Sequence, residues 1–351
     1  MRHTLHKVFR SLWFLELYEI IGIVVTIIAV IAFFTTGTQL DQMRGIPGYH
    51  WQPVIWVYNV YKTFIPKSIV FGMIFLFLFF LVAKRPMRQF PQMIGTIVRV
   101  FLPFCLLLAV YRTLQFFIPL YDPHDKDNLL LRIDHWMFGV QPSIWLQTYI
   151  RPWLTDYMSF VYASWFPLIF ITIVALLIKS RKGVSEFIAT SLITFYIGYG
   201  TFVIVPAIGP VYTLANRYHV ELNGTIISVI QNTIDTNMTI ARDCFPSLHT
   251  GISIVMLVFI YRYWRPLAWV YGPLVISIIA STIYLRAHYV IDVIAGLLLS
   301  GITVVVCPKL VTAWDLYRNR KVQAQVQLTD VPEPHPAVQT AKVDPYNSLN
   351  V

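Results

Sequence analysis

Long apolar runs separated by short basic clusters set the pattern of the chain. Runs near the ~20 residues a helix needs to cross a bilayer fall at 18–34, 65–83, 93–120, 158–178, 186–206, 247–263, 266–285 and 289–307. They predict an all-α, polytopic membrane helical bundle of about eight transmembrane helices. Basic residues recur on alternate connections: Arg2, Lys7 and Arg10; Lys84, Arg85 and Arg88; Lys179, Arg181 and Lys182; Arg262 and Arg265; Lys309, Arg318, Arg320 and Lys321. Because Lys and Arg are retained on the cytoplasmic side, both termini are expected there. The outer face then receives the polar segments 121–157 and 206–245 and the short turn around Arg286.

This pattern divides the chain into three parts. Residues 1–92 hold an N-terminal cytoplasmic segment and two added spans. The first apolar run is too long for a signal-peptide core and is read as a retained span. Residues 93–308 form a six-helix core whose segment 121–157 mixes Asp122, Asp125, Asp127 and Asp134 with Trp136, Phe138 and Trp145, which suits amphipathic helices lying in the interface and capping the bundle. Residues 309–351 are a cytoplasmic tail, polar and proline-containing after about Val322 and expected to be disordered.

Composition narrows the class further. The 351 residues are 57% hydrophobic and 13% charged, with mean hydropathy +0.63, against about a quarter charged in soluble domains. A soluble enzyme is excluded. The net charge of +10 sits in loop clusters, so it orients the protein and does not indicate nucleic acid. Three cysteines, two of them in apolar runs and Cys244 in a loop, give neither a disulfide framework nor an expected metal site. No cofactor is implied, membrane lipids are the expected partners, and no protein partner can be named.

The candidate chemistry gathers at the outer face. Phe245-Pro246-Ser247-Leu248-His249 opens a span, where free amides and the helix dipole favour an anion, Ser247 adds a hydroxyl, and His249 can protonate a leaving group. His288 and Asp292 are four apart and share a helix face, so the carboxylate can hold the imidazole in one tautomer. Taken singly, each histidine reads as a packing residue and Asp292 as a partner for Arg286. A carboxylate within a span is costly, and two histidines with an acid at one membrane face point to covalent phosphoryl chemistry.

Phe245-Pro246-Ser247-Leu248-His249 resembles the second signature of the type 2 phosphatidic acid phosphatase superfamily. Ser281-Thr282-Ile283-Tyr284-Leu285-Arg286-Ala287-His288-Tyr289-Val290-Ile291-Asp292 resembles its third. The resemblance covers 93–307 and implies that His288 is the nucleophile, His249 the general acid and Asp292 the orienting carboxylate, with no metal. Two features depart from the superfamily's phosphatases. Thr282 stands where they place an arginine, and their lysine-containing first signature is replaced by Val205-Pro206-Ala207-Ile208-Gly209-Pro210-Val211-Tyr212. That elbow is similar to the branch of inositolphosphotransferases and inositol phosphorylceramide synthases.

The displaced cations need substitutes, because charge must be compensated in the transition state. Arg286 is the first candidate. Arg112 is the second, either facing the bundle interior or snorkelling to the interface, then Arg242 in the loop before His249, with Tyr212 on the elbow as a further substrate contact. The expected activity is transfer of a phospho-headgroup, phosphoinositol-like, to a lipid hydroxyl. The alternatives are a phosphatase acting on phosphatidate or an isoprenoid phosphate, and, from another class, a transporter or inactive scaffold.

Overall fold

Apolar residues on every side, rather than along one stripe, make the long segments helices that both lipid and neighbouring helices accept. The computed structural model describes residues 15–59, 61–62, 90–225 and 240–329. Its longer helices are α1 (Leu17–Arg44), α2 (Phe90–Tyr121), α3 (Asp127–Phe138), α4 (Pro152–Lys179), α5 (Arg181–Ile204), α6 (Leu248–Tyr263), α7 (Arg265–Tyr284) and α8 (Val290–Thr329). Six of these, all but α3 and α6, are long and apolar enough to cross a membrane. The chain is an integral membrane protein built as a helical bundle. The expected span at 65–83 lies outside the described residues.

Two boundaries differ from the sequence reading. α1 runs on past residue 34 to Arg44, closed by Gly45 in the left-handed conformation. α8 continues beyond 307 to Thr329, through residues expected to belong to the tail, because good helix formers such as Ala, Gln and Leu extend a helix even without apolar periodicity. Residues 15–312 form one compact unit. The site lies wholly within 15–312.

The core sits between α4, α5 and α6, with Ile173, Leu176, Phe187, Ile188, Leu192, Ile252, Met256 and Phe259 all fully enclosed. α6 has 16 residues, about 24 Å at ~1.5 Å per residue, against ~30 Å of hydrocarbon. Its first turn, with Leu248, Thr250 and Gly251, is buried inside the bundle. α8 meets it there at backbone distance. A Cβ on Gly296 would collide with the Ser247 carbonyl oxygen and lie 3.3 Å from the Gly251 nitrogen. Small residues that let backbones touch are a common way for helices to pack where lipid supplies no hydrophobic drive.

Gly296→Ala should therefore destabilise the protein by about 1–3 kcal/mol, the usual cost of overpacking. The readout is the unfolding temperature in detergent. Gly301→Ala, on the same helix with open space around its missing Cβ, should be neutral or slightly stabilising.

Candidate active site

The close crossing of α6 and α8 puts the ends of both signature motifs side by side. Ser247 is the N-cap of α6, its Oγ accepting from the Thr250 amide at 3.3 Å and the Thr250 hydroxyl at 3.1 Å. Its own amide donates to the Asp292 carbonyl at 3.0 Å. Ser247 is fully buried, so its oxygen serves the helix start. His249 then faces His288, with ring centroids 5.7 Å apart at 60°. Tyr162 and Trp165 of α4 pack on the His249 ring at 4.5 and 4.4 Å, which fixes its plane and excludes solvent from one side.

His288 Nδ1 lies 2.8 Å from the Cys244 carbonyl oxygen. A carbonyl only accepts, so Nδ1 carries the proton of the neutral ring, and Nε2 is left with its lone pair. Asp292 Oδ2 stands 3.4 Å from the same Nδ1, longer than a good hydrogen bond but close enough to stabilise an imidazolium. That oxygen also accepts from the Tyr289 amide at 2.8 Å and the Cys244 thiol at 3.0 Å. Asp292 Oδ1 has no hydrogen-bond partner in a residue with no exposure. Burial, reinforced by the charge of Asp292, pushes the Cys244 thiol well above its ordinary range, so it remains a protonated donor. Cys244, His288 and Asp292 also present ligand-type atoms within 4.8 Å of one another, a set that could hold a thiophilic cation, although each is already partnered by the others.

The backbone around these side chains is irregular and is held from α3. Asp127, 3% exposed, accepts from the Ile208 and Gly209 amides, each at 2.9 Å, and from the Tyr289 hydroxyl at 2.8 Å. Asp134, 1% exposed, accepts from the Val290 and Ile291 amides, each at 2.9 Å, and so caps α8 from a different helix. Burial raises the Asp134 carboxyl, those two amides oppose the rise, and the charge of Asp292 adds to it. Gly209 has φ +92°, and a Cβ there would meet the Ala287 carbonyl oxygen at 3.0 Å and Cys244 Sγ at 3.3 Å. The elbow can therefore lie against the His288 loop only as glycine. Val211 N completes the contact by donating to the Arg286 carbonyl at 2.9 Å.

The cations are largely committed to the scaffold. Arg286 is a non-glycine residue at φ 64°, a conformation that costs about 1–2 kcal/mol. Its guanidinium lies 3.8 Å over the Tyr218 ring and donates to the Val220 carbonyl, leaving Nε without a partner. Arg242 pairs with Asp125 at 2.6 Å and the Pro123 carbonyl at 2.9 Å, with Nη1 unpartnered. Arg112 is 2% exposed, so it faces the bundle interior and does not snorkel; it lies 5.3 Å from the Trp56 ring. Asp243, which sequence reasoning passed over, accepts from the Tyr111 hydroxyl and lies within electrostatic reach of both His288 and Arg112. Burial raises its carboxyl, partly offset by these neighbours. Tyr212 is 64% exposed on the short turn Pro210–Thr213. Thr282 is fully buried and donates to the Ile279 carbonyl at 2.7 Å, so it supplies no substitute for a cation.

The family profile of the PAP2 superfamily matches residues 128–306, just over half of the chain. The chain belongs to the PAP2 superfamily. Comparison with curated proteins and with solved structures gave no match. Membership supports a phosphatase-type membrane enzyme acting on lipid phosphoesters. The matched stretch of this PAP2 protein begins within α3 and ends in α8, enclosing His249, His288, Asp292, Cys244 and Asp134, while Asp127 falls one residue before it. A spacing signal for the α3 acids existed in the sequence. Asp127, Leu130 and Asp134 fall at i, i+3 and i+7 and form the helix's buried face. Tyr162, Trp165 and Cys244 had no comparable signal.

Cys244→Ala removes one of the donors to Asp292 inside a dry site, where an unmet acceptor costs about 1–3 kcal/mol. Turnover should fall roughly tenfold, while Cys244→Ser, which restores a donor, should keep most of it. Steady-state rates on a lipid phosphoester check this, and equal losses in both variants would remove the thiol's donor role.

Proposed function

We propose that this PAP2 enzyme transfers a phospho-headgroup, phosphoinositol-like, from a lipid phosphodiester to the hydroxyl of a second lipid through a phosphohistidine at His288. Nε2 of His288 attacks phosphorus, and the bond to the departing lipid oxygen breaks as His249 gives that oxygen its proton. Nδ1 keeps its proton on the Cys244 carbonyl, and Asp292 stabilises the positive ring. The acceptor hydroxyl then attacks phosphorus, returns its proton to His249, and the P–N bond breaks. The steps need no group beyond those described.

The observation that carries transfer of a diester, over hydrolysis of a monoester, is the shortage of uncommitted positive charge beside the site among the described residues. A monoester phosphate carries close to two negative charges near neutral pH, and a diester carries one. The site is bordered by Asp243, Asp127 and Asp134, and the guanidinium groups of Arg286 and Arg242 are tied to carbonyls, a ring and a carboxylate. The donors left unpartnered on these two groups, Arg286 Nε and Arg242 Nη1, suit a single charge. The enclosed setting also supports transfer: His288 is 5% exposed, and α3 roofs the loops, which keeps water from the intermediate.

The basic clusters support cytoplasmic termini and a site at the extracytoplasmic face. The outward surface of α3, the turns after it and the start of α4, with Trp136 84%, Trp145 54% and Trp153 70% exposed, suits the headgroup layer.

Purified protein given labelled phosphoinositides together with lipid phosphates and a lipid alcohol should yield a new phospholipid and a diacylglycerol-type product by mass spectrometry. Free phosphate from a monoester with no transfer product would instead identify a hydrolase. His288→Ala should abolish either reaction and leave no acid-labile phosphorylated protein. Asp292→Asn should lower turnover by about 10²-fold or more with the fold retained, and unchanged rates in both variants would defeat the covalent mechanism.

A further inference from the structure

The two carboxylates of α3 do more than close the bundle. Asp134 places one oxygen on the Val290 amide and the other on the Ile291 amide, the two residues between Tyr289 and Asp292. Asp127 places one oxygen on both the Gly209 amide and the Tyr289 hydroxyl, and the other on the Ile208 amide. Tyr289 in turn donates its own amide to Asp292 Oδ2. Five hydrogen bonds of 2.8 to 2.9 Å thus run from one helix, four to backbone amides and one to the Tyr289 hydroxyl, and hold the residues between His288 and Asp292 and the elbow beside them.

We infer that Asp134 and Asp127 are positioning residues for the reaction at His288: α3 acts as a clamp that sets the first turn of α8 and thereby the His288–Asp292 geometry. The inference rests on the proposed role of His288. A helix cap normally comes from the residue just before the helix, at its own N-terminus. Here that place belongs to Tyr289, whose side chain is turned to Asp127 and Thr213, and the capping oxygens come from a carboxylate 156 residues earlier in the chain. Because both carboxylates are buried and charge-assisted hydrogen bonds are about twice as strong as neutral ones, the loop's freedom is strongly reduced. A 1 Å displacement of a reacting group costs about 10²-fold in rate, and the 3.4 Å Nδ1 to Asp292 separation has little slack.

The test is a double-mutant cycle on turnover of a lipid phosphoester by the full-length protein in detergent. Asp134→Asn turns one acceptor into a donor facing an amide. It should lower kcat by about 10- to 100-fold with KM changed less than about threefold. In an Asp292→Asn background the same change should cost less than about threefold, because the geometry it protects is already without value. Full additivity of the two losses, or a kcat within twofold of wild type for Asp134→Asn, would overturn the clamp.

Should Asp134→Asn fail to fold, Tyr289→Phe removes only the hydroxyl that links the loop to Asp127 and Thr213. It should lower kcat several-fold at constant KM and be likewise non-additive with Asp292→Asn, whereas wild-type turnover would overturn the inference. The failure of the underlying reading looks different: His288→Ala and Asp292→Asn would then both retain activity by themselves.

Discussion

Irregular backbone buried at the end of a helical bundle has to find a partner for every amide, and this constraint organises the protein's functional end. Between α7 and α8 the chain must turn within a few residues, and between α5 and α6 it must fold an elbow back against that turn. The amides of Ala287 and His288 both close on the Thr282 carbonyl. Those of Ile208, Gly209, Val290 and Ile291 have no such local recourse, and the two carboxylates of α3 meet them. The amphipathic helix therefore holds the backbone of the candidate site, although its outward face looks like an ordinary interfacial anchor.

Once the backbone is held, a small number of contacts determine the side-chain chemistry. The Cys244 carbonyl fixes the tautomer of His288, the Cys244 thiol and the Tyr289 amide fix Asp292, and aromatic rings fix His249. Cys244 takes part twice, once through its main chain and once through its side chain, on the partner pair formed by His288 and Asp292. The carboxylate gives charge more than direction, because the carbonyl is the nearer acceptor. The sequence reading gave Asp292 as the orienting carboxylate, and the Cys244 carbonyl adds a second acceptor on the same nitrogen.

The spans were legible because about twenty apolar residues in a row have few other uses, and each expected span within the described residues is helical. His249, His288 and Asp292 were legible for a related reason: polar groups in apolar helices are expensive, so their coincidence at one face demands an explanation. What escaped was carried by residue types with a common alternative use. Asp127 and Asp134 sit in a polar, acidic stretch where carboxylates normally meet solvent, and only their seven-residue spacing set them apart. Tyr162 and Trp165 are two among many aromatics, and a lone cysteine in a loop has no period to betray it. The extension of α8 to Thr329 escaped because hydropathy marks where a helix leaves the apolar layer, not where it ends.

Gly209 carries the cost of building a site this way. Its positive φ and the Ala287 carbonyl 3.0 Å from where a Cβ would be leave room for hydrogen alone. An inventory of reactive residues passes over such a place, yet any side chain there would push the elbow away from the loop carrying His288. The most restrictive requirement at this end of the molecule is for an empty space, and a chain with every reactive residue intact would lose its function by filling it.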